Sequence, residues 1–171
     1  MRKNTNRQEP EITFKIEKLL GVISTAGSGW KKILAKVSWN QAPARYDIRE
    51  WNEDHTRMSS GITLTEDEAK LLSDILITAV ARKEWKVKER NESACRNMTE
   101  IPFEIERHFG VIGEPTKGFK KEVNLVSWNN RLAKIDIRSW DESHTHMSRG
   151  VTLTREEAER LSDILLDAFS V

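Results

Sequence analysis

Closely spaced cations and aromatic side chains recur in two matching stretches of this 171-residue chain. Residues 29–51 read GWKKILAKVSWNQAPARYDIREW, and residues 118–140 read GFKKEVNLVSWNNRLAKIDIRSW. The offset is constant, since 118 − 29 = 89 and 140 − 51 = 89. Lysine and arginine neutralise phosphates, and exposed aromatic rings stack on unpaired bases. The pattern therefore predicts a surface that holds single-stranded nucleic acid.

The candidate binding residues are the cations and aromatics of these two stretches. They are Trp30, Lys31, Lys32, Trp39, Arg45, Arg49 and Trp51 in the first copy and Phe119, Lys120, Lys121, Trp128, Lys134, Arg138 and Trp140 in the second. The net charge of the whole chain is only +1. Binding would therefore depend on a local basic face and not on the overall field.

Catalytic and metal chemistry have no comparable support in the sequence. His144 and His146 have the spacing of two ligands on one strand face, but zinc needs more donors, and the first copy has Arg57 in place of His146. Asp47 and Asp136 lie among cations, which suggests that they orient arginine or lysine. We therefore predict no enzymatic activity, no metal site and no cofactor.

Alternation along the third predicted strand divides its side chains between two faces. Tyr46 and Ile48 share one face, which is expected to be buried. Arg49 and Trp51 share the other, and the same parity holds for Trp140. We therefore expect both of these tryptophans to be exposed beside cations, on a wet face that is available for base stacking.

The orientation of Trp39 and Trp128 stays open at this level. Trp39 follows Val37 by two positions, so simple alternation places its ring inward. The apolar positions before Trp128 do not keep one period, and a bulge or strong twist would turn the ring outward. Asn40 and Asn129, which follow these tryptophans, are read as turn residues, with contact to a base edge as the alternative.

Both copies have the same predicted element order, β-β-β-β-α. Four segments rich in β-formers are followed by Thr65-Glu66-Asp67-Glu68 in the first copy and Thr154-Arg155-Glu156-Glu157 in the second, each a capping box that begins a helix. The first helix has Ala69, Leu72, Ile75, Leu76, Ala79 and Val80 on one face. The chain is thus predicted to be α+β, with a tandem duplication as its origin.

The repeat also sets the predicted domain boundaries. We expect a disordered N-terminus at 1–10, a first module at 11–81, a charged linker at 82–100 whose start continues the helix, and a second module at 101–171. About half the aligned positions of the two copies are identical. A module of about 70 residues is near the lower limit for folding alone, so the copies are expected to pack on each other or on another chain.

Composition predicts a protein of the cytosol. The single cysteine, Cys95, excludes an intramolecular disulfide and suits a reducing compartment. The sequence contains no recognisable signal peptide and no apolar run long enough to span a bilayer. We therefore expect a cytoplasmic, nucleoid-associated protein with no membrane partner.

The repeated motifs resemble those of the single-stranded-DNA-binding transcriptional coactivators of the positive cofactor four family, and its bacterial YdbC-like branch most closely. The resemblance rests on GWKK…VSWN…YDIREW…HTRMSSGITLT and GFKK…VSWN…IDIRSW…HTHMSRGVTLT. It implies a twisted four-stranded antiparallel sheet followed by a helix, with two modules paired through their helices, here as an intrachain pseudo-dimer. It assigns base stacking to Trp39 and Trp128, backbone binding to Arg49 and Arg138, and the following aromatic position to Trp51 and Trp140.

These observations lead to sequence-tolerant binding of single-stranded DNA in transcription or replication as the expected function. Single-stranded RNA is an alternative, because neither stacking nor phosphate contact excludes it. A protein-interaction module without a nucleic-acid role is the alternative from another class. Further homo-oligomerisation of the paired modules is left open.

Overall fold

Two sheet-and-helix modules of the same element order make up the described part of the chain. The computed structural model describes residues 12–81 and 102–170. The first module consists of β1 (Phe14–Thr25), β2 (Lys31–Trp39), β3 (Arg45–Trp51), β4 (Ile62–Leu64) and α1 (Glu66–Ala81). The second consists of β5 (Phe103–Val111), β6 (Phe119–Trp128), β7 (Lys134–Asp141), β8 (Val151–Leu153) and α2 (Arg155–Phe169). The predicted β-β-β-β-α order is confirmed in both copies.

Some of the predictions fall on other parts of the chain. The N-terminal segment 1–10 and the linker 82–100, with Cys95, lie outside the described residues. Neither helix of the described ranges is long and apolar enough to cross a membrane.

Each module forms one antiparallel sheet whose strands follow chain order, β1-β2-β3-β4 and β5-β6-β7-β8. β2 and β3 stay in register from Lys31 opposite Trp51 to Val37 opposite Arg45. β1 shifts its register against β2 at three places, and such irregularities increase the local twist of a sheet. Most of the predicted binding residues of the first module lie on β2 and β3, the pair without such a shift.

A tight turn joins the two central strands of each sheet. Asn40 and Gln41 have positive φ angles of 49° and 63°, and the Ala42 amide donates to the Trp39 carbonyl over 2.9 Å. Asn129 and Asn130 repeat the conformation with φ angles of 53° and 54°. Asparagine tolerates this left-handed region better than most residues. The interpretation of both asparagines as turn residues is confirmed.

Both helices begin with the predicted capping box. In the first, the Glu68 amide donates to Thr65 Oγ1 over 3.2 Å, and the Thr65 amide donates to Glu68 Oε2 over 2.8 Å. Thr154 and Glu157 make the same reciprocal pair. The two hydrogen bonds satisfy backbone donors that the first helical turn leaves free.

One apolar core is shared by the two modules. It contains Leu34 and Ile48 from the first sheet, Ile135 and Ile137 from the second, and the facing sides of α1 and α2. The helices pack directly on each other, and α2 also packs on β1. Because each module alone is small, this shared burial provides the apolar area that a lone module lacks. The copies do pack on each other within the chain, as expected.

Two reciprocal lysine–glutamate pairs fasten the modules at the capping boxes. Lys32 Nζ donates to Glu157 Oε1 over 2.8 Å and to the Thr152 carbonyl over 3.0 Å. Lys121 Nζ donates to Glu68 Oε1 over 2.7 Å and to the Thr63 carbonyl over 3.1 Å in the opposite direction. The lysine and glutamate side chains are only 11% and 15% exposed in the first pair. Each module thus supplies a lysine that pairs with the capping-box glutamate at the N-terminus of the other module's helix.

The ionisation of Glu157 is linked to this junction. Burial opposes its charged form, but hydrogen bonds from Lys32 and Ser24 favour the carboxylate and hold the pKa of Glu157 below its ordinary value. A carboxyl whose folded pKa is depressed stabilises the fold fully above the unfolded pKa of 4.5. That contribution disappears as pH falls through the folded pKa.

Replacing Lys32 with methionine is therefore expected to destabilise the paired modules. Loss of a charge-assisted hydrogen bond should lower the free energy of unfolding by about 1.5–3 kcal/mol at pH 7. Urea denaturation at pH 7 and at pH 3.5 measures the change, which should be smaller at pH 3.5 because the contribution of the Glu157 carboxylate declines once pH falls below 4.5. The matched control is Lys31→Met, because Lys31 lies on the opposite face of the same strand. Equal stability loss in both variants would contradict the role assigned to Lys32.

Candidate nucleic-acid interface

The predicted binding residues converge on the face of each sheet that lies opposite the helices, which we call the open face. In the first module its apolar floor consists of Ile33, Ala35, Val37 and Trp51. The other face of the same strands, including Tyr46 and Ile48, belongs to the shared core. The predicted division of β3 into two faces is confirmed.

The expectation that Trp51 and Trp140 are exposed is wrong. Both rings lie on the open face, but both are 0% exposed. Phe14 of β1 contacts the Trp51 ring at a centroid distance of 4.8 Å, and His55 of the following loop meets it edge-on at 6.0 Å. Phe103 and His144 cover Trp140 in the same way, at 5.1 Å and 5.5 Å. These two tryptophans form the floor of the face and are not available for base stacking.

Trp39 and Trp128 lie at the edge of this floor and are half-buried. The Trp39 ring is nearly parallel to that of Trp51, at a centroid distance of 6.3 Å and an interplanar angle of 17°. Trp128 and Trp140 repeat the arrangement at 6.3 Å and 12°. The β2–β3 and β6–β7 pairs have no register shift, so no bulge turns these rings. Trp39 shares a face with Ala35 and Val37, as alternation requires, but that face is the open one and not the shared core.

A buried carboxylate holds one arginine of each module, at the same position in both copies, against this tryptophan. Arg49 Nη2 donates to Asp47 Oδ2 over 2.7 Å, and its guanidinium lies 4.3 Å from the centroid of the Trp39 ring. Trp39 Nε1 and Thr63 Oγ1 donate to the same carboxylate over 3.2 Å and 2.8 Å. The predicted orienting role of Asp47 is confirmed. Fixing the guanidinium beforehand removes much of the entropy that binding would otherwise lose.

The second module repeats this arrangement. Arg138 makes two hydrogen bonds to Asp136, of 2.6 Å and 2.7 Å, and lies 4.5 Å from the centroid of the Trp128 ring. Burial raises the pKa of the Asp136 carboxyl, although the hydrogen bonds from Arg138 act in the opposite direction. The charged form of Asp136 therefore depends on its arginine.

The two adjacent lysines of each copy do not lie together, which corrects the prediction that all four contact phosphate. Lys31 is the first residue of β2 and Lys120 is the second residue of β6. Both are half-buried and lie on the open face. Lys32 and Lys121 are in the ion pairs at the module junction. Successive side chains of a strand point to opposite faces, so only one of each pair can lie on the open face.

The remaining predicted residues lie around these faces. Arg45 and Lys134 are exposed at the first positions of β3 and β7. Trp30 and Phe119 are half-buried at the start of β2 and β6. Arg45 and Lys134 share the open side of their strands with Arg49 and Arg138, whereas Trp30 and Phe119 come one position before Lys31 and Lys120 and so alternate to the other side. The contribution of all four to binding stays a prediction.

A groove runs beside each half-buried tryptophan. The groove of the first module is lined by Ile12, Trp39, Arg49, Met58, Ser59, Ser60, Gly61, Thr63 and Arg149. That of the second is lined by Trp128, Asn129, Arg131, Leu132, Lys134, Arg138 and Thr152. A third depression at the module junction shares Arg49 with the first groove and Thr152 with the second. The concave surface therefore extends from one module to the other.

Several groove residues were absent from the sequence-based set. Met58 and Met147 place their sulfur 3.5 Å and 3.2 Å from the arginine Nη1 of their module, and the repeated HTRM and HTHM motifs were the available signal. Arg149 belongs to the second module but lines the groove of the first. The equivalent position in the first copy is Ser60, so comparing the two copies did not identify Arg149 as a candidate.

The described ranges offer no site for metal chemistry. Residues 12–81 and 102–170 contain no group of three or more histidine, cysteine, aspartate or glutamate side chains that could hold a metal ion. The pair of exposed His146 and half-buried Asp141 serves the loop instead, since the Asp141 carboxylate also accepts from the His146 and Thr145 amides. These hydrogen bonds hold the pKa of Asp141 well below its usual range.

The chain is similar to a known protein family and to an uncharacterized protein. The family model described as Transcriptional Coactivator p15 (PC4) matches residues 116–164, which lie within the second module. An uncharacterized protein of Treponema pallidum (strain Nichols) is 41% identical over 66 residues. That alignment covers 39% of this chain and 78% of the relative, so the relative corresponds in length to one module and part of its surroundings.

Proposed function

Because residues 116–164 match the model of the transcriptional coactivator p15 (PC4) family, we propose that the chain belongs to that family and that its two open faces bind single-stranded DNA with little sequence preference. The family is a non-enzymatic nucleic-acid-binding domain associated with single-stranded DNA and with transcription coactivation. The observation that carries the proposal is the repeated unit of tryptophan, arginine and buried aspartate, with Trp39, Arg49 and Asp47 in the first module. Its ring and guanidinium offer a flat cationic surface beside a groove.

Base recognition is assigned to the exposed part of the two tryptophan–arginine pairs. Indole rings and guanidinium planes both stack on bases, and stacking contributes about 1–3 kcal/mol per base. Stacking accepts any base, which accounts for the proposed lack of sequence preference. Bases of a duplex are already stacked on each other, so the faces should prefer unpaired strands.

Phosphate contacts are assigned to cations that are free of ion pairs within the described ranges and either lie on an open face or line a groove. They are Lys31, Arg45, Lys120, Lys134, Arg131 and Arg149. Their spread over both modules and the junction suggests one path for a strand across the whole chain. Arg49 and Arg138 supply further positive charge, although their aspartates neutralise part of it.

The finer classification is part of the same proposal. We infer that the chain is a tandem duplication of a YdbC-like module, since the same element order recurs at an offset of 89 residues. A role in transcription or replication at the nucleoid of the cytoplasm, with 11–81 and 101–171 as the functional modules, is consistent with that assignment.

Intrinsic tryptophan fluorescence during titration with a thymidine 20-mer tests the proposal. We expect saturable quenching that resists an excess of duplex of equal length. The logarithm of the binding constant should fall with the logarithm of salt concentration, with a slope of about −0.7 for each phosphate contact. No binding at low salt would overturn the proposal, and salt-independent binding to a protein partner would then be the function to test. Equal affinity for a uridine RNA 20-mer would show that the sugar is not read.

A further inference from the structure

The second open face contains a buried polar cluster that the first lacks, formed by His108, Glu122, Asn124 and His144. Glu122 is 5% exposed and Asn124 is 0% exposed. His144 Nε2 lies 2.8 Å from Glu122 Oε2, and Asn124 Nδ2 donates to the same oxygen over 3.0 Å. His108 Nδ1 lies 2.7 Å from Asn124 Oδ1 and 3.6 Å from Glu122 Oε2. One carboxylate thus meets two imidazoles and an amide.

The first module provides an internal comparison for these positions. Its equivalents of His108, Glu122 and Asn124 are Leu19, Ile33 and Ala35, and its equivalent of His144 is His55. Ile33 and Ala35 are buried in the apolar floor of the first open face. A carboxylate at such a position is costly unless it is paired and hydrogen-bonded. In the second module three partners surround it, so the polar residues occur as a set.

The histidines of this cluster are in contact with solvent while the carboxylate is not. The side chains of His108 and His144 are 49% and 36% exposed, against 6% for Glu122. Protons can therefore enter and leave the imidazoles without opening the fold. Histidine changes its charge between about pH 5 and pH 8. With Glu122 ionised, the cluster has a net charge of −1 when both rings are neutral and +1 when both are protonated.

The cluster adjoins the proposed binding surface. Across the β6–β7 pair, Lys120 lies opposite Trp140, and Arg138 lies opposite Glu122. The charged and titratable groups on this face, taken from every element that packs there, are His108 of β5, Lys120 and Glu122 of β6, Lys134, Asp136 and Arg138 of β7, and His144 of the β7–β8 loop. A phosphate on this face meets a repelling carboxylate when the rings are neutral and two additional cations when they are protonated.

We propose that the second open face binds the single strand together with protons, so that the two faces are non-equivalent sites. The first face changes less across this pH range, because Leu19, Ile33 and Ala35 cannot change charge and His55, which contacts Trp51, is its one histidine. The second binds more tightly as pH falls and His108 and His144 become protonated. This inference rests on the proposed function and adds that strand binding at the second face is coupled to proton uptake. By linkage, the bound phosphates in turn favour the protonated rings.

Isothermal titration calorimetry of the full chain with a thymidine 20-mer that has a 5′-hydroxyl tests the proposal. Thymine and phosphodiesters do not titrate between pH 5.5 and 8. Titrations at pH 6.5 in two buffers of different ionisation enthalpy give the number of protons taken up, which should be on the order of one per chain. Affinity should rise about tenfold from pH 8 to pH 5.5, with the effect concentrated on one class of site.

Matched variants assign the protons to residues. His108→Gln combined with His144→Gln should abolish the uptake while leaving binding at pH 8. His55→Gln and His146→Gln, which lie outside the cluster, should keep it. If the double variant does not fold, His108→Gln alone, at a half-exposed position, should reduce the uptake.

The outcomes separate the two proposals. Saturable binding without proton uptake in the wild-type chain would overturn the inference and leave the proposed function in place. Unchanged uptake in the folded histidine variants would overturn the assignment to this cluster. No binding from pH 5.5 to pH 8 at low salt would overturn the proposed function and this inference with it.

Discussion

Trp51→Ala is expected to lower the free energy of unfolding by about 3–5 kcal/mol, the range measured for removing large aromatic side chains from protein cores. The Trp51 ring is fully buried between Phe14, His55 and the parallel ring of Trp39. Alanine would leave a cavity that its rigid strand cannot close. Urea denaturation followed by circular dichroism measures the change. Trp140→Ala should also be destabilising, because the Trp140 ring is equally buried among Phe103, His144 and Trp128.

Trp30→Ala is the matched control for this prediction. Trp30 is only half-buried and lies just before β2, outside the apolar floor of the open face. Its loss should have a much smaller effect on stability. A folded Trp51→Ala variant with normal stability and weakened DNA binding would contradict the burial and restore the exposed role that strand alternation predicts.

Trp39→Ala combined with Trp128→Ala is expected to weaken binding of the thymidine 20-mer by at least about thirtyfold. Two stacking contacts would be lost at about 1–3 kcal/mol each, and 1.4 kcal/mol corresponds to a factor of ten. Fluorescence anisotropy of a labelled oligonucleotide measures the affinity, with the fold checked by circular dichroism. The salt dependence should change little, since the rings contact no phosphate in this assignment.

Phenylalanine at the same two positions separates stacking from support of the arginine. Trp39→Phe keeps a flat ring but removes the indole N–H that donates to Asp47. If stacking dominates, the phenylalanine variant should retain most of the affinity. Equal losses with alanine and phenylalanine would show that the tryptophan acts by orienting the aspartate–arginine pair, and unchanged affinity in both would exclude the grooves as base sites.

The local sequence pattern was sufficient to predict the strands and helices, but it was insufficient to predict which side chains are exposed. Alternation placed Arg49 and Trp51 on the same face correctly, because side-chain direction in a strand is a local property. It did not reveal that Trp51 is covered, since Phe14 and His55 approach from another strand and from a loop. Burial of a residue depends on contacts that its own strand does not encode.

Strand alternation, applied to the lysine pairs, would have corrected the prediction that both lysines of a pair contact phosphate. Lys31 and Lys32 are adjacent on one strand, so alternation alone requires that they serve different faces. The partner of Lys32 is Glu157, which lies 125 residues away, and this pairing follows from module packing alone. Glu122 is similar, because its burial becomes intelligible only once His108, Asn124 and His144 are seen around it.

Joining the modules in one chain changes what a single substitution can do. In a symmetric homodimer every replacement appears twice, so a carboxylate placed on one face is placed on both. Here the reciprocal lysine–glutamate pairs and the shared core bring together two faces that are encoded separately. Glutamate can occupy position 122 while isoleucine remains at position 33. The fused pair is free to evolve one face at a time, keeping a general site beside a specialised one.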